Sequence, residues 1–84
     1  MTTAGIRSEV AGKVLVALAA ADRSKKWLSI KTGIPYSTLD RKLRAQAEFN
    51  FADLAEIAQA LEVKPSDFTP TVFARSPQSM RAAA

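Results

Sequence analysis

Basic side chains are concentrated in one stretch of this sequence, residues 23–44. Seven lysines and arginines lie there beside a single carboxylate, that of Asp40. Residues 45–68 have the opposite balance, with five acidic residues and one lysine. Ammonium and guanidinium groups bind phosphate oxygens through charge and hydrogen bonds, so a basic block on a small domain predicts a surface that faces a polyanion. Charge alone leaves open a lysine-rich face that is merely solvated.

Catalytic chemistry has little support in the composition. The 84 residues include no histidine and no cysteine. The usual general base, the thiol nucleophile and the commonest metal ligands are therefore missing. We expect no enzyme, no cofactor, no metal site and no small-molecule substrate, and a disulfide-stapled secreted domain is excluded.

The apolar residues predict a packed helical domain, and a cytoplasmic protein is the default expectation. Nearly half of the chain is hydrophobic, at 48%, and glycine occurs only three times, which favours a packed helical core. No apolar run approaches the roughly 20 residues that span a bilayer, and the first residues do not resemble a signal peptide. We therefore expect no membrane partner.

A first helix is predicted over residues 3–21. The apolar residues that recur on one of its faces are Ile6, Val10, Val14, Leu18 and Ala21. Leu15 and Val16 widen this stripe, and we expect a stripe so broad to be buried in the core. Gly12 within it would let another helix approach closely.

A short second helix is predicted over residues 25–32. Ser24 is a good N-cap, and Gly33 ends the helix because glycine readily takes the left-handed conformation found after a last turn. Two lysines in the first turn oppose the helix dipole, which an approaching phosphate would offset. Trp27 and Leu28 are expected to face the core.

The next helix is predicted to begin between Pro35 and Ser37 and to end at about Ala45. Proline suits the start of a helix, and Ser37 with Asp40 has the spacing of a capping box. Leu39 and Leu43 are its only large apolar residues, so one narrow face is buried and the rest stays free.

Two further helical segments follow. Asn50 and Asp53 have capping-box spacing and begin a helix that we expect to continue to about Glu62. Residues 65–68 are expected to form one more short turn with Phe68 inward. These elements define a domain over residues 1–68. Residues 69–84, rich in proline and serine, predict a flexible tail or dimerisation arm. Within it, residues 71–73 are compatible with a short strand or with an extended arm that is packed on the domain or disordered.

The motif at residues 28–39, Leu-Ser-Ile-Lys-Thr-Gly-Ile-Pro-Tyr-Ser-Thr-Leu, resembles the phage-repressor/Cro-type, lambda-repressor-like helix-turn-helix family. The following Leu-x-x-Ile-Ala-x-Ala-Leu-x-Val at residues 54–63 extends the resemblance to about residues 10–68. It implies an all-α, compact bundle of four or five helices that binds double-stranded DNA at an operator, usually as a homodimer. Two positions depart from the pattern, and the loop at residues 46–49 lacks the glycine that is usual there. Ser29 replaces the usual alanine, and Lys42 stands where an apolar residue is common, which could rotate the reading helix.

The resemblance implies roles for individual side chains. Base readout is expected from the start and exposed face of the second motif helix, namely from Tyr36, Ser37, Thr38, Arg41 and Arg44. Arg41 is the first choice because a guanidinium can pair bidentately with guanine. The residues expected at DNA phosphates are Lys25, Lys26, Lys31 and Lys42, of which Lys31 and Lys42 are the weaker candidates. Asp40 is expected to cap a helix or to hold a neighbouring arginine.

The function that follows is a sequence-specific transcriptional regulator, a phage or bacterial repressor that reads the major groove with the helix from about Tyr36 to Ala45. The alternative is an antitoxin or a small helical protein-interaction module, which Val72 and Phe73 in the tail keep open. The sequence does not distinguish a dimer from a monomer, nor a repressor from an activator.

Overall fold

A computed structural model describes residues 3–70 of the chain, with side chains from Gly5 onward. Its four α-helices are α1 (Thr3–Ala20), α2 (Lys25–Thr32), α3 (Tyr36–Leu43) and α4 (Phe51–Leu61), and a 3-10 helix follows at Pro65–Phe68. This order confirms the predicted all-α class for the described residues. The strand predicted at residues 71–73, and most of the predicted tail, lie outside the described residues.

One apolar core joins these elements. Helix α1 packs on α3 and on the 3-10 helix, whereas α2 packs on α3 and α4. The largest fully buried side chains of this core are Phe68, Leu28, Leu39, Ile57 and Val14. Burying an aliphatic or aromatic side chain of this size contributes about 1.5–3 kcal/mol. Packing on this core therefore fixes the positions of α2 and α3. No helix of the described residues is long and apolar enough to cross a membrane.

The outer face of α1 corrects one prediction. Val10, Val14 and Leu18 are buried as expected, but Val16 is 70% exposed and Leu15 39% exposed. At 3.6 residues per turn, Val16 lies about 180° from the centre of the buried stripe, so elements packed against that stripe cannot reach it. A side chain added at Gly12 would meet no described atom within 4 Å, so Gly12 does not serve a close helix contact there.

Most helix ends match their local sequence signals. The Ser24 hydroxyl accepts a hydrogen bond from the Trp27 amide at 3.0 Å. Gly33 has a φ of 79°. Asn50 and Asp53 form the predicted capping box. Helix α4 ends one residue earlier than expected because Glu62 takes a left-handed conformation, with a φ of 58°.

The start of α3 at Tyr36 lies within the predicted range, whereas its capping and its end differ from the sequence prediction. The helix begins at Tyr36 after Pro35, so Ser37 lies within its first turn and no side chain caps it; the predicted capping box is wrong. The helix ends at Leu43 rather than near Ala45, since Ala45 has a φ of 62°. The amide of Ala45 donates to the Lys42 carbonyl and that of Gln46 to the Arg41 carbonyl, which is the hydrogen-bond pattern of a Schellman motif.

Candidate nucleic-acid interface

The turn between α2 and α3 is held by three polar side-chain contacts around Gly33. The Ser29 hydroxyl donates to the carbonyl of Ile34 at 2.6 Å. The Thr32 hydroxyl donates to the Leu28 carbonyl at 2.8 Å and accepts from the Ile34 amide at 3.3 Å. Ile34 itself packs against the core. Ser29, a departure from the family pattern, thus contributes a hydrogen bond that an alanine could not make.

Helix α3 is oriented by its two leucines. Leu39 is fully buried and Leu43 is 4% exposed. With 3.6 residues per turn, Arg41 points about 180° away from the mean direction of these two side chains. Ser37, one turn earlier, lies on the same outward face, and both residues are exposed. The face of α3 that is free to meet a ligand is therefore centred on Arg41.

Lys42 lies on the flank of the buried face and has an internal partner. Its ammonium group forms an ion pair with the carboxylate of Asp53, and each side chain is only 14% exposed. The same carboxylate oxygen accepts a hydrogen bond from the Asn50 amide at 3.1 Å. Lys42 is thus accommodated at a position where an apolar residue is usual, because α4 supplies the opposite charge.

Asp40 joins the start of α2 to the end of α3. Its Oδ1 lies 3.1 Å from the Lys25 Nζ, and its Oδ2 lies 3.0 Å from the Arg44 Nε. The hydrogen bond from Lys25, with a smaller contribution from Arg44, holds the pKa of Asp40 below its usual range against the effect of desolvation. The prediction that Asp40 holds an arginine is confirmed, and the contact with Lys25 is one that the sequence did not reveal.

The remaining candidate side chains differ in how exposed they are and in whether they have an ion-pair partner. Lys26 and Arg41 are exposed, and neither forms an ion pair with another described residue. Tyr36, at the first position of α3, is 50% exposed, while Thr38 is half-buried. The structure thus brings Lys25 and Arg44 to one carboxylate and leaves Lys26 and Arg41 free.

Lys31 is not brought to the side of α2 that meets α3. It lies about 160° around α2 from Ser29, and its Nζ is 6.0 Å from the centroid of the Trp27 ring. The guanidinium of Arg23 lies over the same ring at 4.7 Å. Arg23 was absent from the predicted site, and its spacing of four residues from Trp27 was the only signal for this contact. Trp27 is half-buried and packs on the core, as expected.

The chemistry available at this surface is charge and hydrogen bonding. Among residues 5–70, no group of three or more potential metal-ligating side chains is close enough to hold an ion. The basic, outward face of α3 stands next to the basic start of α2, and a glycine turn fixes the angle between the two helices.

Comparison of the chain with known proteins shows which family it belongs to. No curated protein and no solved structure matches the chain. A family model described as the Cro/C1-type HTH DNA-binding domain matches residues 13–73, which is more than half of the sequence. The match includes α2, the glycine turn and α3. The chain therefore belongs to the Cro/C1-type helix-turn-helix family of DNA-binding domains.

Proposed function

We propose that this chain is a sequence-specific transcriptional repressor of the phage or bacterial type, which reads the major groove of an operator with α3. The observation that carries the proposal is the orientation of α3. Leu39 and Leu43 are buried, whereas Arg41 is exposed on the opposite face and has no ion-pair partner among the described residues. The major groove admits an α-helix, and each base pair presents a distinct pattern of donors and acceptors there.

Base recognition in this proposal is centred on Arg41 and Ser37. A guanidinium can donate two parallel hydrogen bonds to guanine O6 and N7, and a serine hydroxyl can donate or accept at several base edges. Tyr36, which is half exposed at the start of the helix, is a further proposed DNA contact. Thr38, half-buried, and Arg44, bonded to Asp40, are secondary candidates because each is already engaged with the protein.

Phosphate contacts in this proposal come from the start of α2. Lys25 and Lys26 occupy its first turn, where the helix dipole adds to their positive charge. Lys26 is exposed, whereas the ammonium group of Lys25 forms an ion pair with Asp40. Lys31 and Lys42 remain the weaker candidates, since Lys31 lies beside Trp27 and Lys42 is paired with Asp53.

Repression would follow from occupancy, because a protein seated in the major groove of a promoter excludes polymerase. Two copies bound on a two-fold symmetric site would double the number of base contacts, so we propose a homodimer on DNA. This symmetry predicts half-sites separated by about one helical turn, roughly 10 base pairs.

Selection of bound sites from random duplex DNA tests the specificity and the symmetry together. We expect one enriched sequence, arranged as an inverted repeat. Binding to that sequence should weaken steeply with salt. Two to four lysine–phosphate contacts per subunit predict a slope of log K against log salt of about −2 to −4 for each subunit.

Absence of an enriched site, or binding that salt does not affect, would contradict the proposal. No retention on duplex DNA even at low salt is the outcome expected of a protein-interaction module such as an antitoxin that masks a partner. A reporter gene driven by the selected site then tests the direction of regulation. Expression of the wild-type chain should lower its output, and the Arg41→Ala variant should not.

A further inference from the structure

An apolar groove runs along α1 on the side away from the proposed DNA interface. Gly12, Val16 and Ala17 of α1 form one wall, and Val63 and Phe68 form the other. The groove has a volume of about 500 Å³, and no residue of α2 or α3 lines it. It therefore belongs to a surface that the proposed function does not use.

Apolar side chains at and beside this groove are exposed, and no described element covers them. Val16, at its edge, is 70% exposed, and Leu15 next to it is 39% exposed. Covering such side chains removes apolar surface from water and so favours a contact. Contiguous apolar surface on a small protein usually marks a contact with another chain or segment.

The chain itself leads to this groove. The Lys13 Nζ donates to the carbonyl of Thr69 at 2.7 Å, and both Lys13 and Phe68 line the groove. The described residues end one position later, at Pro70, which is buried. Val72 and Phe73 follow within three residues. An extended chain advances about 3.3 Å per residue, so these two apolar side chains are within about 10 Å of that end.

The charges at the rim of the groove also favour the residues that follow Pro70 as its occupant. The exposed carboxylate of Asp67 lies at the rim of the groove, and the only lysine on the rim, Lys13, is bonded to Glu9. The residues beyond Pro70 contain two arginines and no acidic residue. Arg75 follows Phe73 by two positions and can reach the rim.

From these observations we propose that residues 71–75 of the same chain fold back across this groove, with the side chains of Val72 and Phe73 inside it and Arg75 at its acidic rim. The segment then completes the core on the outer side of α1. It leaves α2 and α3 free for DNA.

A spin label tests the proposal on the full chain. Because the sequence has no cysteine, Ser76→Cys provides a single attachment site for a nitroxide. A label next to the docked segment should cause loss of the amide NMR signals of Gly12, Val16 and Val63, while the signals of Ser37 and Arg41 persist. Reducing the nitroxide should restore all of them. Signals in the groove that stay sharp beside the active label would overturn the proposal.

Matched variants of the labelled chain identify the side chains responsible. Replacing both Val72 and Phe73 by serine should restore the groove signals, whereas Met80→Ser, an apolar-to-polar change outside residues 71–75, should leave their loss unchanged. The persisting signals of α2 and α3 report that each variant is folded. Loss of groove signals that survives the double substitution would contradict the proposed contact.

Mixed samples distinguish docking in the same chain from exchange between copies. Isotope-labelled chain without a nitroxide is combined with unlabelled chain that carries the nitroxide. We expect no signal loss in the groove of this mixture at low concentration. Loss at Gly12 and Val16 would mean that the segment of a second copy occupies the groove and would overturn docking within one chain. No DNA takes part, so these outcomes are independent of the proposed repressor function.

Discussion

Lys42 and Asp53 form an ion pair across the junction between α3 and α4. Each side chain is 14% exposed, and the Asp53 carboxylate also receives the amide of Asn50 in the capping box that begins α4. One carboxylate therefore serves two purposes. It offsets the charge of a lysine at the edge of the core and stabilises the first turn of the next helix.

Removing the charge of Lys42 should destabilise the fold. Lys42→Met keeps most of the apolar stem but leaves a largely buried carboxylate without its ammonium partner. We expect the free energy of unfolding in urea to fall by about 1–3 kcal/mol. Lys26→Met, which changes an exposed lysine without an ion pair, should alter it by less than about 0.5 kcal/mol. Equal effects of the two substitutions would contradict the structural role of the Lys42 ion pair.

Gly12 and Gly33 should respond to alanine with opposite signs. At both positions an added side-chain carbon would meet no described atom within 4 Å, so steric clash is not the cause of either effect. Gly33→Ala should cost about 1–2 kcal/mol, because its φ of 79° is unfavourable for a residue with a side chain. Gly12→Ala, in the middle of α1, should stabilise by about 0.5–1 kcal/mol. Urea unfolding of both variants measures this difference, and destabilisation by both would contradict the expected gain in helix propensity at Gly12.

The contacts of Asp40 predict a specific dependence of stability on pH. Its pKa is lowered in the folded protein, chiefly by the hydrogen bond from Lys25. Its contribution to stability is therefore fully present above the unfolded-state pKa of about 3.9, and is lost as the pH falls through the lower folded-state value.

We expect the difference in unfolding free energy between wild type and Asp40→Asn to be constant near neutral pH and to shrink below about pH 4. Lys25→Met should reduce this acid-dependent part, because it removes the largest cause of the shift. Parallel stability curves for wild type and Asp40→Asn from pH 7 to pH 2 would show that the carboxylate is not stabilised as described.

Substitutions on α3 and α2 should affect DNA binding in different ways. Arg41→Ala should relax discrimination at one base pair and cost about 1–3 kcal/mol on the selected operator. Lys26→Ala should weaken binding to all sequences alike and reduce the magnitude of the salt slope by about 1. Binding to the operator and to single-base variants of it, measured at several salt concentrations, separates the two effects. If both substitutions weakened every sequence equally, Arg41 would be a phosphate contact.

Features that depend on a few consecutive residues could be predicted from the sequence. The Ser24 cap, the left-handed Gly33 and the Asn50–Asp53 capping box each involve residues no more than three positions apart. The stripe of Val10, Val14 and Leu18 also follows from the helical repeat alone. Together these features located the helix-turn-helix, because its geometry is set by a short turn.

The end of α3 shows where local signals fail. Ala45 takes the left-handed conformation with a φ of 62°, although alanine carries none of the preference of glycine or asparagine for that region. The favourable hydrogen bonds of Gln46 and Ala45 to the last turn stabilise it instead. A preference based on residue type therefore placed the end of the helix too late.

The sequence by itself determined the class of fold, the position of the turn and the basic character of α2 and α3, because periodicity, capping and charge are local properties. Only the tertiary structure decided which basic side chains are free. Lys25 is 15 residues from Asp40 and Lys42 is 11 from Asp53, and those partners meet only when the helices pack. Packing also decided that Val16 is exposed, since the burial of a helix face depends on which neighbours cover it. The role proposed for Arg41 depends on both. Its charge is known from the sequence, and its outward direction follows from the burial of Leu39 and Leu43.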